Sequence, residues 1–300
     1  MSKAVLITGS NGLLGQKLVH LLKDNSEVNL IASSKGKNRI SDKKGYKYLS
    51  LDITSKDEIE SLFREVNPDI VINTAAMTNV DACETNKEDC WKINVTAVEF
   101  LCDACKQFDS KLLHLSTDFV FDGENGPYKE SDQPNPLSYY GNSKWESEKV
   151  VENSGLNDWA IARTIIVFGI AEEMSRTNIV LWAKSALEKG DPLTIVDDQF
   201  RSPTLAEDLA LGCWQLADSN CNGIYHLSGK DLFSIIDLVY AVADYFNLDK
   251  SVISPIKSIT LNQAAKRPPK TGFILDKAIN DFGYNPHSFS ESLEILTKQL

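Results

Sequence analysis

A short apolar run, Ala4-Val5-Leu6-Ile7, passes directly into Thr8-Gly9-Ser10-Asn11-Gly12-Leu13-Leu14-Gly15, and helical spacing takes over across residues 13–22. No other stretch constrains the fold as tightly. An apolar run without alternation reads as a strand buried on both faces. Glycines at GxxGxxG spacing between that strand and a helix permit positive φ, let the backbone approach a ligand closely, and leave the free N–H groups of a helix start facing outward. In this strand–loop–helix context the pattern reads as a cradle for a pyrophosphate. The residues that would line it are Gly9, Asn11, Gly12, Leu13, Leu14 and Gly15.

The alternation continues. Residues 28–32, 46–51, 69–73, 111–116 and 159–163 read as further strands, and residues 59–66, 87–106 and 139–152 as helices. Repeated βαβ units predict an α/β fold, a doubly wound parallel sheet of the Rossmann type. Proline and glycine punctuate the second half, with helical spacing at 205–216 and 235–246. We therefore expect a cofactor-binding domain over 1–165 with return elements near 205–225. A smaller α/β substrate lobe is expected over 166–204 and 226–290.

Composition limits the function classes. The formal net charge is -11, which argues against nucleic acid or an anionic membrane as partner. No apolar run approaches the roughly 18–20 residues of a membrane span, and the N-terminus lacks a signal-peptide pattern. Six cysteines spread over 300 residues suit a reducing cytoplasm. Cys102 and Cys105 form a CxxC on a predicted helix, which we read as packing because no second CxxC or nearby histidine completes a metal site. His114 and His226 read as core or supporting residues, and no metal is expected.

The end of the second strand meets the adenosine ribose in such folds, where an acid selects a 2′-hydroxyl. Here residues 32–39 read Ala-Ser-Ser-Lys-Gly-Lys-Asn-Arg, with no acid. Ser33, Ser34, Lys35 and Lys37 suit a 2′-phosphate, so NADP(H) is preferred and NAD(H) is the alternative. A solvated basic loop would look the same.

Tyr140-Gly141-Asn142-Ser143-Lys144 is a YxxxK, and residues four apart share a helix face. A phenol titrates near 10, and a nearby ammonium favours its ionised form. Ser116 and Thr117 close the fifth strand, at the strand end where ligands bind in parallel sheets. Thr117 is the first choice to hold a substrate carbonyl, with Ser116 adjacent.

The glycine loop, Asn73-Thr74-Ala75-Ala76, Asn94, the run from Ser116 to Gly123, Tyr140 to Lys144 and the run from Asp198 to Thr204 resemble the extended short-chain dehydrogenases/reductases. Within that group they are similar to the dTDP-4-dehydrorhamnose reductases, across nearly the whole chain. The resemblance implies NADPH-dependent reduction of the 4-keto group of a nucleotide-linked 6-deoxyhexulose. By position, Thr117 would polarise the keto oxygen, Tyr140 would donate the proton, and Lys144 would tune Tyr140 and bind ribose. Asn94 would support a bend in the active-site helix and a proton relay. Asp52 and Ile53 would lie near adenine, and Ala75, Ala76 and Met77 would line the cofactor groove. Thr78, Asp118, Phe119, Ile166, Arg201 and Arg267 would face substrate, the two arginines at its nucleotide end. A homodimer is implied as well.

Two positions depart from the pattern. Phe119 stands where these reductases carry Tyr, and Ile166 where they carry Trp. The hydride chemistry is untouched, and the identity of the sugar stays open. Dehydratases place an Asp-Glu pair after the catalytic Thr, whereas Asp118 is followed by Phe119, which cannot transfer a proton. Epimerases carry an acid after the second strand, absent here. Some relatives resemble non-catalytic regulatory subunits, and the intact Thr117, Tyr140 and Lys144 favour an enzyme. Arg201 and Arg267 could equally be interlobe ion-pair residues.

Overall fold

The computed structural model describes residues 2–174 and 176–300. Along the first half run β1 (Lys3–Thr8), α1 (Leu13–Leu22), β2 (Val28–Ser34), β3 (Lys47–Ser50), α2 (Lys56–Val66), β4 (Ile70–Asn73), α3 (Val80–Thr85), α4 (Lys87–Trp91), α5 (Ala97–Phe108), β5 (Lys111–Thr117), α6 (Tyr139–Asn153) and β6 (Trp159–Thr164). The second half holds β7 (Val167–Phe168), α7 (Ile179–Lys189), β8 (Leu193–Val196), β9 (Phe200–Arg201), β10 (Thr204–Leu205), α8 (Ala206–Asp218), β11 (Gly223–His226), β12 (Phe233–Ser234), α9 (Ile235–Phe246), β13 (Ile253–Ile256), α10 (Asp276–Phe282) and α11 (Phe289–Thr297).

Among the described residues, seven strands form one parallel sheet in the order β11-β6-β5-β4-β1-β2-β3. The order reverses beside β1, and ligands bind at such a switch point. Alternate residues feed two cores. Val5, Ile7, Leu30, Ile72 and Leu113 pack with α1 and α8 on one face. Leu6, Ile31, Val71 and Leu112 pack with α2 and α5 on the other. Both faces are covered, which is why the strands read as unbroken apolar runs.

The helix predicted over 87–106 is not continuous. A π-helical turn, Lys92–Thr96, separates α4 from α5. Asn94 within it accepts from the Met77 N–H at 2.8 Å and donates to the Met77 carbonyl at 3.0 Å, gripping that backbone as a neighbouring strand would. Helix α6 is unusual in what it buries: Tyr140, Ser143, Lys144, Ser147 and Glu148 all face inward at helical spacing. Ser138 caps its start by accepting from the Gly141 N–H at 3.1 Å. Glu148 anchors its middle by accepting two bonds from the buried Arg163 of β6, at 2.9 and 2.6 Å.

The second half returns to the sheet through α8, which packs on α1, and through β11, which pairs with β6. A separate apolar cluster joins Phe168, α7, β8, α9, β13 and Phe289, Leu293 and Leu296 of α11. One stretch expected in the substrate lobe lies elsewhere: Phe273, Leu275, Ala278 and Tyr284 pack into the sheet's core, and Tyr284 donates to the Ser228 carbonyl at 3.1 Å. None of the described helices is long and apolar enough to cross a membrane.

Candidate active site

A cleft of about 1100 Å³ opens over the carboxyl ends of β1, β4 and β5. Its floor is the glycine loop. Gly9 has φ 73°, and an added Cβ would lie 2.6 Å from the Ala75 nitrogen; at Gly15 it would lie 2.4 Å from the Gly9 carbonyl. The loop therefore tolerates only glycine at both positions. No side chain caps α1, so its first-turn N–H groups and its positive dipole end face the cleft. Gly9, Asn11, Gly12, Leu13, Leu14 and Gly15 all line it. Such a donor set fits the pyrophosphate of a dinucleotide.

At the adenosine end the cleft is lined by Ser34, Lys35, Arg39, Asp52 and Ile53. Lys35 pairs with Asp52 at 2.7 Å, and this bond, helped by Thr54, holds the Asp52 carboxyl down to about 2. Ser33, expected here, is fully buried and lies outside the wall, because successive strand residues face opposite ways and Ser34 takes the cleft side. Lys37 contributes only its carbonyl, which accepts from Asn11 at 2.9 Å. Arg39 lines the cleft instead. The sequence offered one signal for it, a cation in a window without acids.

Ala75, Ala76, Met77 and Thr78 line the middle of the cleft, and Thr117, Asp118, Phe119, Tyr140 and Lys144 its reactive end. Phe119 meets Tyr140 edge-on, ring centroids 5.7 Å apart. The Tyr140 phenol behaves differently from the simple expectation. Burial pushes it well above its ordinary range, against the opposing effect of the Thr117 hydroxyl. Burial also pushes Lys144 down to about 8. Burial thus keeps the phenol protonated, the form an acid needs.

Several expected residues stand outside the cleft wall. Asn94 directs its amide to Met77 and, at 3.0 Å, to Ser143; Lys144 is not among its partners. Arg201 is 2% exposed. It donates to the Phe200 and Pro268 carbonyls at 2.7 and 2.6 Å and lies 3.4 Å from Asp118. Arg267 forms a two-pronged ion pair with Asp81 at 3.2 and 2.6 Å. Both guanidiniums are engaged by protein, the ion-pair alternative that sequence left open. Asp118 is buried too, accepting from Thr271 and, at 3.1 Å, from Thr117; burial raises its carboxyl against the pull of Arg201.

Ile166 lines the cleft with φ 35°. A β-branched residue rarely takes that conformation, which costs ~1–3 kcal/mol and survives only where its surroundings impose it. Here β7 follows at once and pairs with β10, while the Thr204 N–H donates to the Ile166 carbonyl at 3.1 Å. Sequence reasoning missed Lys92, Arg176 and Asn178, which also line the cleft. They lie in a helix interruption and a loop, without periodicity or motif to mark them. Arg176 reaches across to donate to Thr78.

The switch-point cleft, the glycine loop and the YxxxK on α6 define an extended short-chain dehydrogenase/reductase. The chain belongs to the family described as RmlD substrate binding domain, which it matches over residues 3–300. It is 32% identical to the dTDP-4-dehydrorhamnose reductase of Aggregatibacter actinomycetemcomitans, covering 97% of each chain. It is 31% identical to methionine adenosyltransferase 2 subunit beta of Danio rerio, covering 89% of this chain and 81% of that one. The crystal structure of dTDP-4-dehydrorhamnose reductase from Bacillus anthracis, in complex with NADP, superposes with a TM-score of 0.87 at 26% identity over 100% of both chains.

Proposed function

We propose that this protein is an NADP(H)-dependent oxidoreductase that reduces the 4-keto group of a nucleotide-linked 6-deoxyhexulose. The observation that carries this reading is one continuous cleft joining the glycine loop to Thr117, Tyr140 and Lys144. Residues 1–165 with 205–225 hold the cofactor in this reading, with 273–284 packed beneath the same sheet, and the rest of 166–204 and 226–290 shapes the sugar side. NADPH, held by the glycine loop, Ser34, Lys35, Asp52, Ile53, Ala75, Ala76, Met77 and Lys144, supplies the hydride when bound; NAD(H) is the weaker alternative. Arg39 adds a second cation to the phosphate end.

The keto carbon gains the hydride while its oxygen takes the proton of Tyr140. Burial keeps that proton in place until the oxygen becomes basic enough to accept it. Thr117 polarises the carbonyl by turning its one hydroxyl proton from Asp118, which accepts it at 3.1 Å, to the keto oxygen. Thr78, Phe119 and Ile166 shape the wall that meets the sugar. A cytoplasmic enzyme that assembles as a homodimer is the form the family resemblance suggests.

The likeness to a methionine adenosyltransferase subunit supports a second reading, a regulatory partner that keeps the dinucleotide fold. The complete Thr117–Tyr140–Lys144 set favours catalysis. Following absorbance of NADPH over dTDP-, UDP- and GDP-linked 4-keto sugars separates the two. We expect consumption with the dTDP-linked 4-keto-6-deoxyhexulose; no consumption with any of them would leave the regulatory reading.

A further inference from the structure

Lys144 has a partner that the YxxxK motif does not contain. Thr8, Asn73 and His114 occupy one register row across β1, β4 and β5. His114, 1% exposed, stands under α6 with its Nε2 3.0 Å from Lys144 Nζ and 3.0 Å from Ser147 Oγ. Its Nδ1 lies 3.1 Å from the Asn73 side-chain nitrogen.

The hydrogen-bond pattern fixes the ring's tautomer. Asn73 Oδ1 accepts from the Thr8 hydroxyl at 2.6 Å and from the Ala75 N–H at 3.2 Å. Its NH₂ therefore faces Nδ1, which must accept. A neutral imidazole that accepts at Nδ1 carries its proton on Nε2. Ser147 sends its own proton to the Lys144 carbonyl at 2.7 Å, leaving its oxygen able to accept. The ring stays neutral because burial, and then the charge of Lys144, hold the imidazolium well below its ordinary range. Nε2 therefore offers Lys144 Nζ no lone pair, and its one proton is shared between Ser147 Oγ and Nζ, both 3.0 Å away. An ammonium has no lone pair to take it, whereas a neutral amine has one.

We propose that His114 is a positioning residue whose fixed Nε2–H holds Lys144 Nζ at the cleft and favours its amine over its ammonium. Lys144 then exchanges protons near neutral pH instead of standing as a permanent cation. The amine that His114 favours is the form left when Lys144 gives up a proton, and a proton from solvent restores the ammonium. The charged and titratable groups around Lys144 are Tyr140 and Glu148 on its own helix, Cys90 on α4 and His114 on β5; Glu148 and Cys90 oppose the effect, and Glu148 is committed to Arg163. Asn94, assigned to a relay by resemblance, is fully engaged elsewhere.

The inference deepens the reductase reading and rests on it for its kinetic consequence. Its first test needs no sugar. In full-length protein labelled with ¹⁵N-histidine, the His114 nitrogens should report a neutral Nε2–H ring across the stable pH range. Their shifts should show one inflection near the pH where Lys144 titrates, about 8, and that inflection should vanish in Lys144→Met. An Nδ1–H ring, a protonated ring near neutrality, or an inflection that survives Lys144→Met overturns the proposal. The second test is kinetic. His114→Leu should move the basic limb of the kcat–pH profile upward by about half a unit or more, since 1.4 kcal/mol corresponds to one unit. His114→Gln, which can accept from Asn73 and donate to Lys144, should restore it. An unmoved limb in the Leu variant, or no rescue by Gln, overturns the proposal. If the Leu variant does not fold, the labelled wild-type protein decides. Failure of the reductase reading itself would appear separately, as no NADPH oxidation with any sugar.

Discussion

On one side of the cleft, Gly9, Thr74 and Thr117 stand at or just beyond the carboxyl ends of β1, β4 and β5, and the register of paired strands fixes each relative to the next. On the other side, Ile166 precedes a two-residue strand and Arg176 and Asn178 come from a loop and the start of α7, held by a few hydrogen bonds and by their own lobe. The sheet wall needs few side chains to keep its shape, because the backbone ladder does that. The lobe wall uses side chains as struts, and Arg201 and Arg267 are two of them. On the sheet wall a motif's place in the chain therefore fixes its place in the cleft, to within the choice of which neighbour faces it. On the lobe wall the same residue type can hold ligand or hold protein, and only packing decides.

Four substitutions test this contrast. The largest effect should come from the sheet wall's reactive end. Tyr140→Phe should lower kcat by about 10²–10⁴-fold, with NADPH affinity by fluorescence titration changed no more than a few-fold; retained turnover would remove Tyr140 as the acid. Arg201→Met should behave as the loss of a strut. Stripping one partner from a buried ion pair costs about 3–5 kcal/mol, measurable by urea unfolding, while KM for the sugar nucleotide in the remaining folded enzyme should hold. A stable variant with a raised KM would return Arg201 to the substrate and break the contrast.

Lys144→Met should abolish turnover yet stabilise the fold at neutral pH. Burial lowers the Lys144 ammonium from 10.5 to about 8. The native state thus binds fewer protons than the unfolded chain between those values, and stability rises with pH across that window. Below about 8 the buried charge costs up to roughly 3 kcal/mol. The variant's advantage in Tm should be full at pH 7 and shrink as pH climbs toward 10.5. An advantage that grows with pH would reverse the assignment. The smallest effect belongs to Arg267→Ala. Its pair with Asp81 is partly solvated, so the loss should stay at about 0–1 kcal/mol, with KM unchanged within about twofold by the same steady-state assay.

Most of the sheet was legible because its cause is local. Residues 13–22 and 235–246 were bounded as helices by their own spacing, and α1 and α9 have those limits. Apolar periodicity over 87–106 carries no mark of the π-turn at Lys92–Thr96, which brings Asn94 against Met77. Helix α6 was found through a motif and not through amphipathicity, since its buried stripe is polar. A window such as Ser33-Ser34 does not say which of two neighbours faces the cleft, and only Ser34 does.

By itself, the sequence determined the alternation of strands and helices, the glycine turn that no other residue can occupy, and the pairing of Tyr140 with Lys144 on one helix face. Each follows from interactions within a few residues: backbone sterics, helical period, strand burial. Tertiary structure alone decided where Arg201 and Arg267 direct their charge, that Ile166 is held at positive φ, that burial holds the Tyr140 proton in place, and that His114 lies against Lys144. These depend on which elements meet across the fold and on the solvent they exclude, and desolvation belongs to the packed chain rather than to any segment of it.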